Sequence, residues 1–499
     1  MEKTFELLHI QKIEKLWNSV TIFYSEASKK RSSTCIIEYI IDLTLVITSR
    51  IVGGGIAGTS CAYFLKEVFG GKCNITLFER EVIGGRLQIQ NIGGKYYEAG
   101  GAVIHPQNRY MVQFLEALGL HMKKLKGSKF GIFNGEKIIF QESDWYFVTI
   151  ADFFWRYGFS VFELWKDVKS MLEDFSSIYG LQEESYAFTT VNGLLEYMSP
   201  SFRNMTQETL TFHLEKKGYS KRLLDELVQS IMMVNYGQTN NISAFAGFVS
   251  LAGADPDLWS VDGGNKLVPS KLLTKSKAQL IHGDVSEIVL KKDGSYELTH
   301  VDESSSTTVT GDYDIIILAA PLIKGKRNIK FTNFQKDFDQ YEATYHQLTA
   351  TFVKGKLNPV AFKSPFVPDE ILTFNPDLLF NSIGKVTAVN ENVEKETSDV
   401  YKVFSNQPLL EKEIDYLFEN VDIYKEIDWL AYPHYNPPEK LPPFFLYPGL
   451  YYINGIELAA SAMEMSCIGS KNVALLAFNL WNNLIDKVDY HKRSFKDEL

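Results

Sequence analysis

A glycine-rich turn near residue 53 is the first feature of this sequence that could do chemistry. Residues 53–58 read GGGIAG, so Gly53, Gly55 and Gly58 have the spacing GxGxxG after a short apolar run. Glycines at this spacing permit a tight turn and let backbone amides approach a pyrophosphate where a helix begins. A second apolar run, residues 75–78, ends at Glu79, where a carboxylate can accept a hydrogen bond from a ribose hydroxyl. The order strand, turn, helix, strand and acid predicts a dinucleotide-binding unit.

A second glycine-rich turn follows and favours FAD over NAD as the dinucleotide. Residues 79–86 have the pattern ERxxxGGR, which ends at Gly85 and Arg86, and residues 98–101 read EAGG. Paired glycines let backbone amides lie close to a ligand, and the guanidinium of Arg86 can bind a phosphate. NAD-dependent dehydrogenases do not usually need this second turn. We therefore expect bound FAD.

With these motifs the chain resembles the prenylcysteine oxidase family, which has the flavin-containing amine oxidase type of fold. The GxGxxG and GGR motifs are general to flavin proteins, and the resemblance extends over roughly residues 50–485. Its more specific blocks are VNYGQTNNISAFAG (234–247), LWSVDGGNKLV (258–268), WLAYPHYNPPEK (429–440) and YYINGIELAASAMEMS (451–466). The resemblance implies an FAD-dependent oxidase that cleaves the thioether of farnesyl- or geranylgeranyl-cysteine. Its products would be cysteine, a prenyl aldehyde and hydrogen peroxide, formed with molecular oxygen as acceptor.

The same resemblance implies which residues surround the cofactor. Gly53, Gly55 and Gly58 would lie at the pyrophosphate, Glu79 at the ribose, and Val285 would face the adenine through its backbone. The other residues implied at the cofactor are Arg80, Gly85, Arg86, Gly100, Gly101, His105, Gly455, Glu457, Ala462 and Met463.

The catalytic group is the least determined part of the site. A flavin supplies the electron acceptor and the protein supplies binding and orientation, so no covalent nucleophile is required. Lys266 could orient a water molecule near the flavin, or it could simply be a solvated lysine. His105 could contact the flavin or cap a turn. His434 could line the substrate site or have a structural role. No two cysteines have CxxC spacing, so no metal site is expected.

An aromatic segment at residues 145–165 is the strongest compositional anomaly. It holds 10 aromatic residues in 21 positions, against 13% in the whole chain. Asp152, Arg156 and Glu163 make it a poor membrane span. Two interpretations stay open: a helical core or domain interface, or a tunnel wall and peripheral membrane contact through which a prenyl chain enters.

The charge balance and the two chain ends bear on partners and compartment. The net charge is 51 − 61 = −10, so nucleic acid is not an expected partner. The chain ends in KDEL, which predicts retention in the lumen of the endoplasmic reticulum, and members of the resembled family are typically lysosomal. The apolar run at 35–48 is short and contains two acids, so no clear signal peptide is present. Glycosylation is predicted at Asn204, and less strongly at Asn74 and Asn241.

The predicted architecture is α/β, with a discontinuous FAD-binding domain of Rossmann type and an interleaved α+β substrate domain. The FAD-binding domain comprises residues 46–120, 226–325 and 450–485, and the substrate domain residues 121–225 and 326–449. Residues 1–45 form an N-terminal extension, either disordered or a degenerate targeting segment, and residues 486–499 form a tail that ends in KDEL. Two alternatives remain at this stage: another flavin oxidase or desaturase of the same fold, and a prenyl-binding protein without catalysis that resembles the Rab GDP-dissociation inhibitors.

Overall fold

A computed structural model describes residues 46–490, except 126, 128, 302–307, 310, 327–328 and 391–397. The predicted N-terminal extension, residues 1–45, and the KDEL end lie outside the described residues.

Strands and helices are mixed in residues 47–141, helices predominate in residues 146–276, and strands predominate after residue 279. The strands are β1 (Ile47–Val52), β2 (Cys73–Glu79), β3 (Ile89–Ile92), β4 (Lys95–Glu98), β5 (Met122–Lys124), β6 (Phe130–Phe133), β7 (Ile138–Gln141), β8 (Trp259–Val261), β9 (Gln279–His282), β10 (Asp284–Leu290), β11 (Tyr296–Val301), β12 (Thr308–Val309), β13 (Asp312–Tyr313), β14 (Ile315–Leu318), β15 (Lys330–Thr332), β16 (Tyr345–Leu357), β17 (Glu370–Thr373), β18 (Ser382–Lys385), β19 (Val400–Ser405), β20 (Phe418–Pro433), β21 (Phe445–Tyr447) and β22 (Leu450–Tyr452). The helices are α1 (Ile56–Phe69), α2 (Arg109–Leu118), α3 (Tyr146–Tyr157), α4 (Ser160–Phe175), α5 (Ser177–Glu183), α6 (Val191–Met198), α7 (Pro200–Met205), α8 (Leu210–Lys216), α9 (Gln229–Tyr236), α10 (Ala244–Ala252), α11 (Leu267–Ser276), α12 (Glu411–Leu417) and α13 (Met463–Trp481).

A six-stranded sheet carries the first glycine turn. Its strand order is β21-β22-β14-β1-β2-β9, and β1 pairs in parallel with both β14 and β2. Parallel strands covered on both faces are apolar along their length, and β14, with the sequence IIIL, is buried throughout. Alternate residues of β1 enter different cores: Ile51 packs in the core that includes α1 and α13, and Val52 packs in the core beneath β10 and β11. The sheet confirms the predicted α/β class and the Rossmann-type unit.

A seven-stranded sheet is the second large sheet of the fold. Its order is β20-β16-β19-β18-β17-β6-β7, and every neighbouring pair is antiparallel except β17 with β6. Phe352 of β16 packs in one small core with Tyr97 of β4, so this sheet lies against the hairpin that precedes the EAGG turn. The sheet therefore positions β16, β19 and β20 beside the cofactor-binding unit.

Helices α3–α10 form a block whose core is continuous with the core around α1 and α13. α9 and α10, which the predicted division assigns to the FAD-binding domain, pack with helices of this block. α10 has the sequence AFAGFVSLA and is buried on nearly every side, so it must be enclosed by other helices.

Candidate active site

The first glycine turn has the geometry that only glycine allows. Gly53 has φ +112°, and its N–H donates to the carbonyl oxygen of Phe78 at 2.8 Å. A Cβ atom on Gly58 would lie 1.9 Å from the carbonyl oxygen of Gly53, so this helix start excludes every larger residue. No side chain caps the N-terminus of α1, which begins after Gly55. Its first amides therefore face the turn, as a pyrophosphate requires.

Glu79 lies at the end of β2 beside this turn. Its Oε2 accepts a hydrogen bond from the N–H of Gly54 at 2.6 Å, and its Oε1 accepts one from the N–H of Glu81 at 2.8 Å. Each carboxylate oxygen has further acceptor capacity for a ribose hydroxyl. The adjacent Arg80 is half-exposed at the surface, where its guanidinium contacts Glu81 and lies 4.0 Å from Asp284.

The second glycine turn packs directly on the first. The N–H of Gly84 donates to the carbonyl oxygen of Gly54 at 2.9 Å, and Gly84 pairs with Gly55 as an isolated bridge. Gly84 and Gly85 have φ values of +116° and +55°. The two motifs, separated in sequence, thus form a single glycine-lined surface.

Arg86 follows this turn and forms an ion pair with a buried carboxylate. Its Nη2 donates to Oε1 of Glu457 at 2.6 Å, and its Nη1 donates to the carbonyl oxygen of Ala431 at 2.8 Å. Burial by itself would lower the pKa of Arg86, but Glu457 raises it above its ordinary value. Tyr345 donates to Oε2 of Glu457 at 3.0 Å, and Asn454 donates to its Oε1 at 2.7 Å. The phosphate contact predicted for Arg86 would therefore add to a guanidinium that already holds two partners.

The EAGG turn lies next to the start of the last helix. A Cβ on Gly100 would lie 1.8 Å from the carbonyl oxygen of Arg86, and a Cβ on Gly101 would lie 3.7 Å from Cε of Met463. The side-chain amide of Asn265 donates to the carbonyl oxygen of Gly101 at 2.8 Å. The helix α13 begins after Ala462 without a side-chain cap, so its amides are also open to a ligand.

Two further predicted residues take less direct positions. Val285 is buried on β10 and packs in one core with Val52 and Phe78, close to where β1 and β2 end. A Cβ on Gly455 would lie 2.6 Å from the carbonyl oxygen of Pro442, so packing within the chain accounts for this glycine.

Three of the sequence blocks named above meet at a cluster of tyrosines, which we define as Tyr236, Tyr432 and Tyr435. Tyr236 donates to the carbonyl oxygen of Ser461 at 3.1 Å. The hydroxyl of Tyr435 donates to the carbonyl oxygen of Glu457 at 3.1 Å and accepts from the N–H of Ser461 at 2.8 Å. The rings of Tyr432 and Tyr435 lie edge-on to Tyr236, at 5.0 and 5.3 Å between centroids. Of the three tyrosines, Tyr432 alone is partly exposed, so its side chain is the one that a ligand could contact from outside the cluster.

The structure does not bring Lys266, His105 and His434 together. His434 is exposed, with its ring 6.3 Å from that of His346. Nδ1 of His105 accepts from the N–H of Gln107, as the turn-capping interpretation predicts, and burial lowers its pKa. Lys266 is half-buried and directly precedes α11, and its ammonium forms no ion pair within the described part of the chain. A catalytic role for these three residues stays a prediction.

A buried lysine that sequence reasoning missed lies near the EAGG turn. Lys402, on β19, donates through Nζ to the carbonyl oxygen of Glu98 at 3.2 Å, and burial lowers its pKa to about 8. Burial raises the pKa of Glu98 to about 7, although the N–H of Asn265 donates to its Oε1 at 2.6 Å. The available signal was a single lysine within the apolar strand VYKVFS. Trp429 was also missed, and its Cη2 would lie 2.9 Å from a Cβ on Gly100.

The residues of this site fit FAD. Glycines line the place where a dinucleotide must approach the backbone, and two helices begin beside them without side-chain caps. Among the residues that the structure describes, no group of three or more His, Cys, Asp or Glu side chains could hold a metal ion.

Solved structures with this architecture define the class of protein. A cyclohexylamine oxidase from Brevibacterium oxydans IH-35A matches with a TM-score of 0.57 and 15% identity, over 87% of this chain and 99% of that chain. A CLA-producing fatty acid isomerase from P. acnes matches with a TM-score of 0.60 and 16% identity, over 85% of this chain and 96% of that chain. At these identities the likeness shows the fold alone. Together with the glycine turns, it defines an α/β protein with a Rossmann-type unit and an amine oxidase-like fold.

Closer relatives identify the family. The family model described as prenylcysteine lyase matches residues 140–490, and the model for an NAD(P)-binding Rossmann-like domain matches residues 51–118. Prenylcysteine oxidase 1 of Homo sapiens is 43% identical over 455 residues, which cover 88% of this chain and 90% of the human protein. Prenylcysteine oxidase 1-like of Bos taurus is 36% identical over 451 residues, which cover 88% and 92% of the two chains. This chain belongs to the prenylcysteine lyase family, as its sequence blocks predicted.

Proposed function

We propose that this protein is an FAD-dependent oxidase that cleaves the thioether of farnesyl- or geranylgeranyl-cysteine, with molecular oxygen as the electron acceptor. The products would be cysteine, the prenyl aldehyde and hydrogen peroxide. The observation that carries the proposal is the tyrosine cluster, because it joins, at the junction with α13, three of the sequence blocks on which the resemblance to prenylcysteine oxidases rests. Relatives named prenylcysteine oxidase that align along most of the chain support it.

Oxidative cleavage of a prenyl thioether requires a two-electron acceptor, an apolar site from which bulk water is excluded, and one water molecule as reactant. FAD, when bound, supplies the two-electron acceptor. Loss of a hydride from the allylic carbon beside sulfur leaves a cation shared by carbon and sulfur. One water molecule then adds its oxygen to that carbon and releases a proton. The resulting hemithioacetal breaks its carbon–sulfur bond to give the thiol of cysteine and the aldehyde.

The residues of the tyrosine cluster suit this sequence of bonds. Aromatic faces attract a positive charge that is shielded from water, so the ring of Tyr432 would stabilise the developing cation. Tyr236 and Tyr435 are held by hydrogen bonds to the chain at Ser461 and Glu457, which fixes the wall on which Tyr432 packs. The ion pair of Arg86 with Glu457 holds the second glycine turn against this wall.

The test uses the purified protein with its flavin. Farnesylcysteine added without oxygen should bleach the flavin absorbance, and hydrogen peroxide should appear when air is admitted. A cysteine thioether with a saturated chain of equal length is the control and should not bleach the flavin, because it lacks the allylic carbon. A flavin band that farnesylcysteine leaves unchanged would indicate another flavin oxidase. Folded protein without flavin would indicate a prenyl-binding protein that has no catalytic activity.

We also propose that the protein works in the lumen of the secretory pathway, in the lysosome or endoplasmic reticulum. The KDEL sequence motivates this proposal, and the exposed positions of Asn74, Asn204 and Asn241 are compatible with glycosylation. The fold does not bury any of these three side chains. Residues 145–165 would make a peripheral contact with a membrane, which is where a lipophilic substrate partitions.

A further inference from the structure

The outward side of α3 is apolar although it faces solvent. Phe147 and Trp155 are 83% and 90% exposed, and Val148 and Phe154 on the same side are 45% and 41% exposed. The opposite side of α3 carries Tyr157 and other residues that pack on the block. A surface helix normally turns its polar residues outward. The interpretation of segment 145–165 as a helical core is therefore wrong for these side chains, because the structure leaves them uncovered.

The apolar surface continues onto α4. Phe154 of α3 and Phe159, which precedes α4, meet with ring centroids 4.7 Å apart. The exposed side chains of this continuous surface, which we call the aromatic face, are Trp145, Phe147, Val148, Phe154, Trp155, Phe159, Phe162 and Trp165. Contiguous exposed apolar surface of this kind marks an interaction site.

The charges on the aromatic face are few and nearly balanced. Lys166 and Lys169 share the outward side of α4 with Phe162 and Trp165, and neither lysine forms an ion pair within the described residues. Asp152 and Glu163 are the acidic counterparts at its edges. The whole chain has a net charge of −10, which opposes adsorption to an anionic surface. Any partner of this face must therefore be recognised through apolar burial.

A lipid bilayer matches this surface better than a protein does. Trp and Phe favour the interface of a bilayer, where rings insert below the headgroups and the indole N–H stays hydrated. Lysines beside such rings can bury their methylene stems and keep the ammonium in water. None of the described helices is long and apolar enough to cross a membrane, so the contact would lie in the plane of the interface.

Two hydrogen bonds and a stretch of helix link α3, which carries part of the aromatic face, to the tyrosine cluster. Arg156, on the inner side of α3, donates two hydrogen bonds to the carboxylate of Glu226, at 2.7 and 3.0 Å. Glu226 lies in the helical turn that continues into α9, and α9 ends at Tyr236. Tyr236 follows Glu226 by ten positions along the helix, which is about 15 Å at 1.5 Å per residue. An extended farnesyl chain has a comparable length.

We propose that the aromatic face docks α3 and α4 onto a lipid bilayer, so that prenylcysteine passes from the membrane to the tyrosine cluster without entering bulk water. This inference rests on the proposed function for its substrate, while the docking itself does not.

The test compares two surfaces of the same protein. The variant Phe147→Ser with Trp155→Ser removes the two most exposed rings of the face, and the matched control is Phe212→Ser with Phe366→Ser, which removes two exposed rings elsewhere. Flotation with phosphatidylcholine vesicles should show the wild type and the control bound. The first variant should lose about 100-fold in partition coefficient, from two aromatic side chains withdrawn from apolar contact. Binding should be insensitive to salt between 0.05 and 0.5 M, roughly the range over which charged contacts are screened.

Activity separates the docking from the proposed function. Turnover of freely dissolved farnesylcysteine should be the same in all three proteins, and turnover of geranylgeranylcysteine carried in vesicles should fall only in the Phe147/Trp155 variant. Wild-type protein that stays unbound to vesicles would overturn the docking. A concentration-dependent dimer abolished by the same variant would also overturn it, in favour of a second copy as the occupant. Vesicle binding that persists without any turnover would sustain the docking and refute the proposed function instead.

Discussion

The ion pair between Arg86 and Glu457 should be worth measuring first, because it joins the second glycine turn to the segment before α13. The carboxylate of Glu457 is 1% exposed and accepts hydrogen bonds from Arg86, Asn454 and Tyr345. Replacing Arg86 with Met removes the cation and leaves a buried carboxylate with two neutral donors. Removing one partner of a buried ion pair costs about 3–5 kcal/mol. The side chain of Arg86 is 33% exposed, so we expect the lower limit, about 3 kcal/mol.

This free energy converts to a modest change in melting temperature. The entropy of unfolding is about 2.1 cal/mol/K per residue, which gives about 1 kcal/mol/K for 499 residues. Arg86→Met should therefore lower Tm by about 3 °C. Glu457→Gln should cost less, because glutamine can still accept from Arg86. The double variant with Arg86→Met and Glu457→Gln leaves no buried charge. Its loss of unfolding free energy should therefore be smaller, by about 2 kcal/mol, than the sum of the losses in the two single variants.

The assay is thermal unfolding of the holoenzyme, with bound flavin measured by absorbance in parallel. Both single variants should also hold less flavin after dialysis. The ion pair fixes the position of the second glycine turn, and the backbone of that turn is expected to contact the flavin cofactor. Single-variant costs that add within about 0.5 kcal/mol would refute the coupling. An unchanged Tm for Arg86→Met would refute the view that this pair holds the two segments together.

Three further outcomes follow from the structure. Burial raises the pKa of Glu464 to about 7, above its ordinary value. The stability that its protonated form contributes is therefore present at pH 4.5 and is lost as the pH rises through 7. The Tm measured at about pH 5 should exceed the Tm at about pH 8, and this difference should be smaller in Glu464→Gln. Gly58→Ala should abolish flavin retention, since its Cβ would lie 1.9 Å from a backbone oxygen, whereas Gly71→Ala, with nothing within 4 Å, should retain the flavin and the fold. Expressed in a secretory host, Asn204→Gln should migrate faster on a gel by one glycan, and equal migration before and after deglycosylation of the wild type would exclude the modification.

Much of the cofactor site could be predicted because its constraints are local. Gly53 and Gly58 are required by a positive φ and by a contact five residues apart, and such short-range demands are visible in the sequence. The strands β1 and β2 on either side of the first turn were likewise predicted from apolar runs and are confirmed. The family resemblance is confirmed by the matches along most of the chain. The individual roles of the predicted site residues stay predictions.

The contacts of the site could not be predicted, because they join distant parts of the chain. Arg86 and Glu457 are 371 residues apart, and Lys402 and Glu98 are 304 apart. The sequence left open whether Lys266 orients a water or is a solvated lysine, and it did not show that Lys402 lies buried beside the EAGG turn.

By itself the sequence determined the α/β class and the position of the dinucleotide turn, since glycine spacing and apolar periodicity act over a few residues. The family was identified separately, through the resemblance of its more specific sequence blocks. The sequence also identified 145–165 as an aromatic segment, without deciding between a core and a surface. Only the tertiary structure decided that, by leaving Phe147 and Trp155 uncovered. Exposure depends on which other elements pack against a helix, and packing is a property of the whole fold that no local pattern contains.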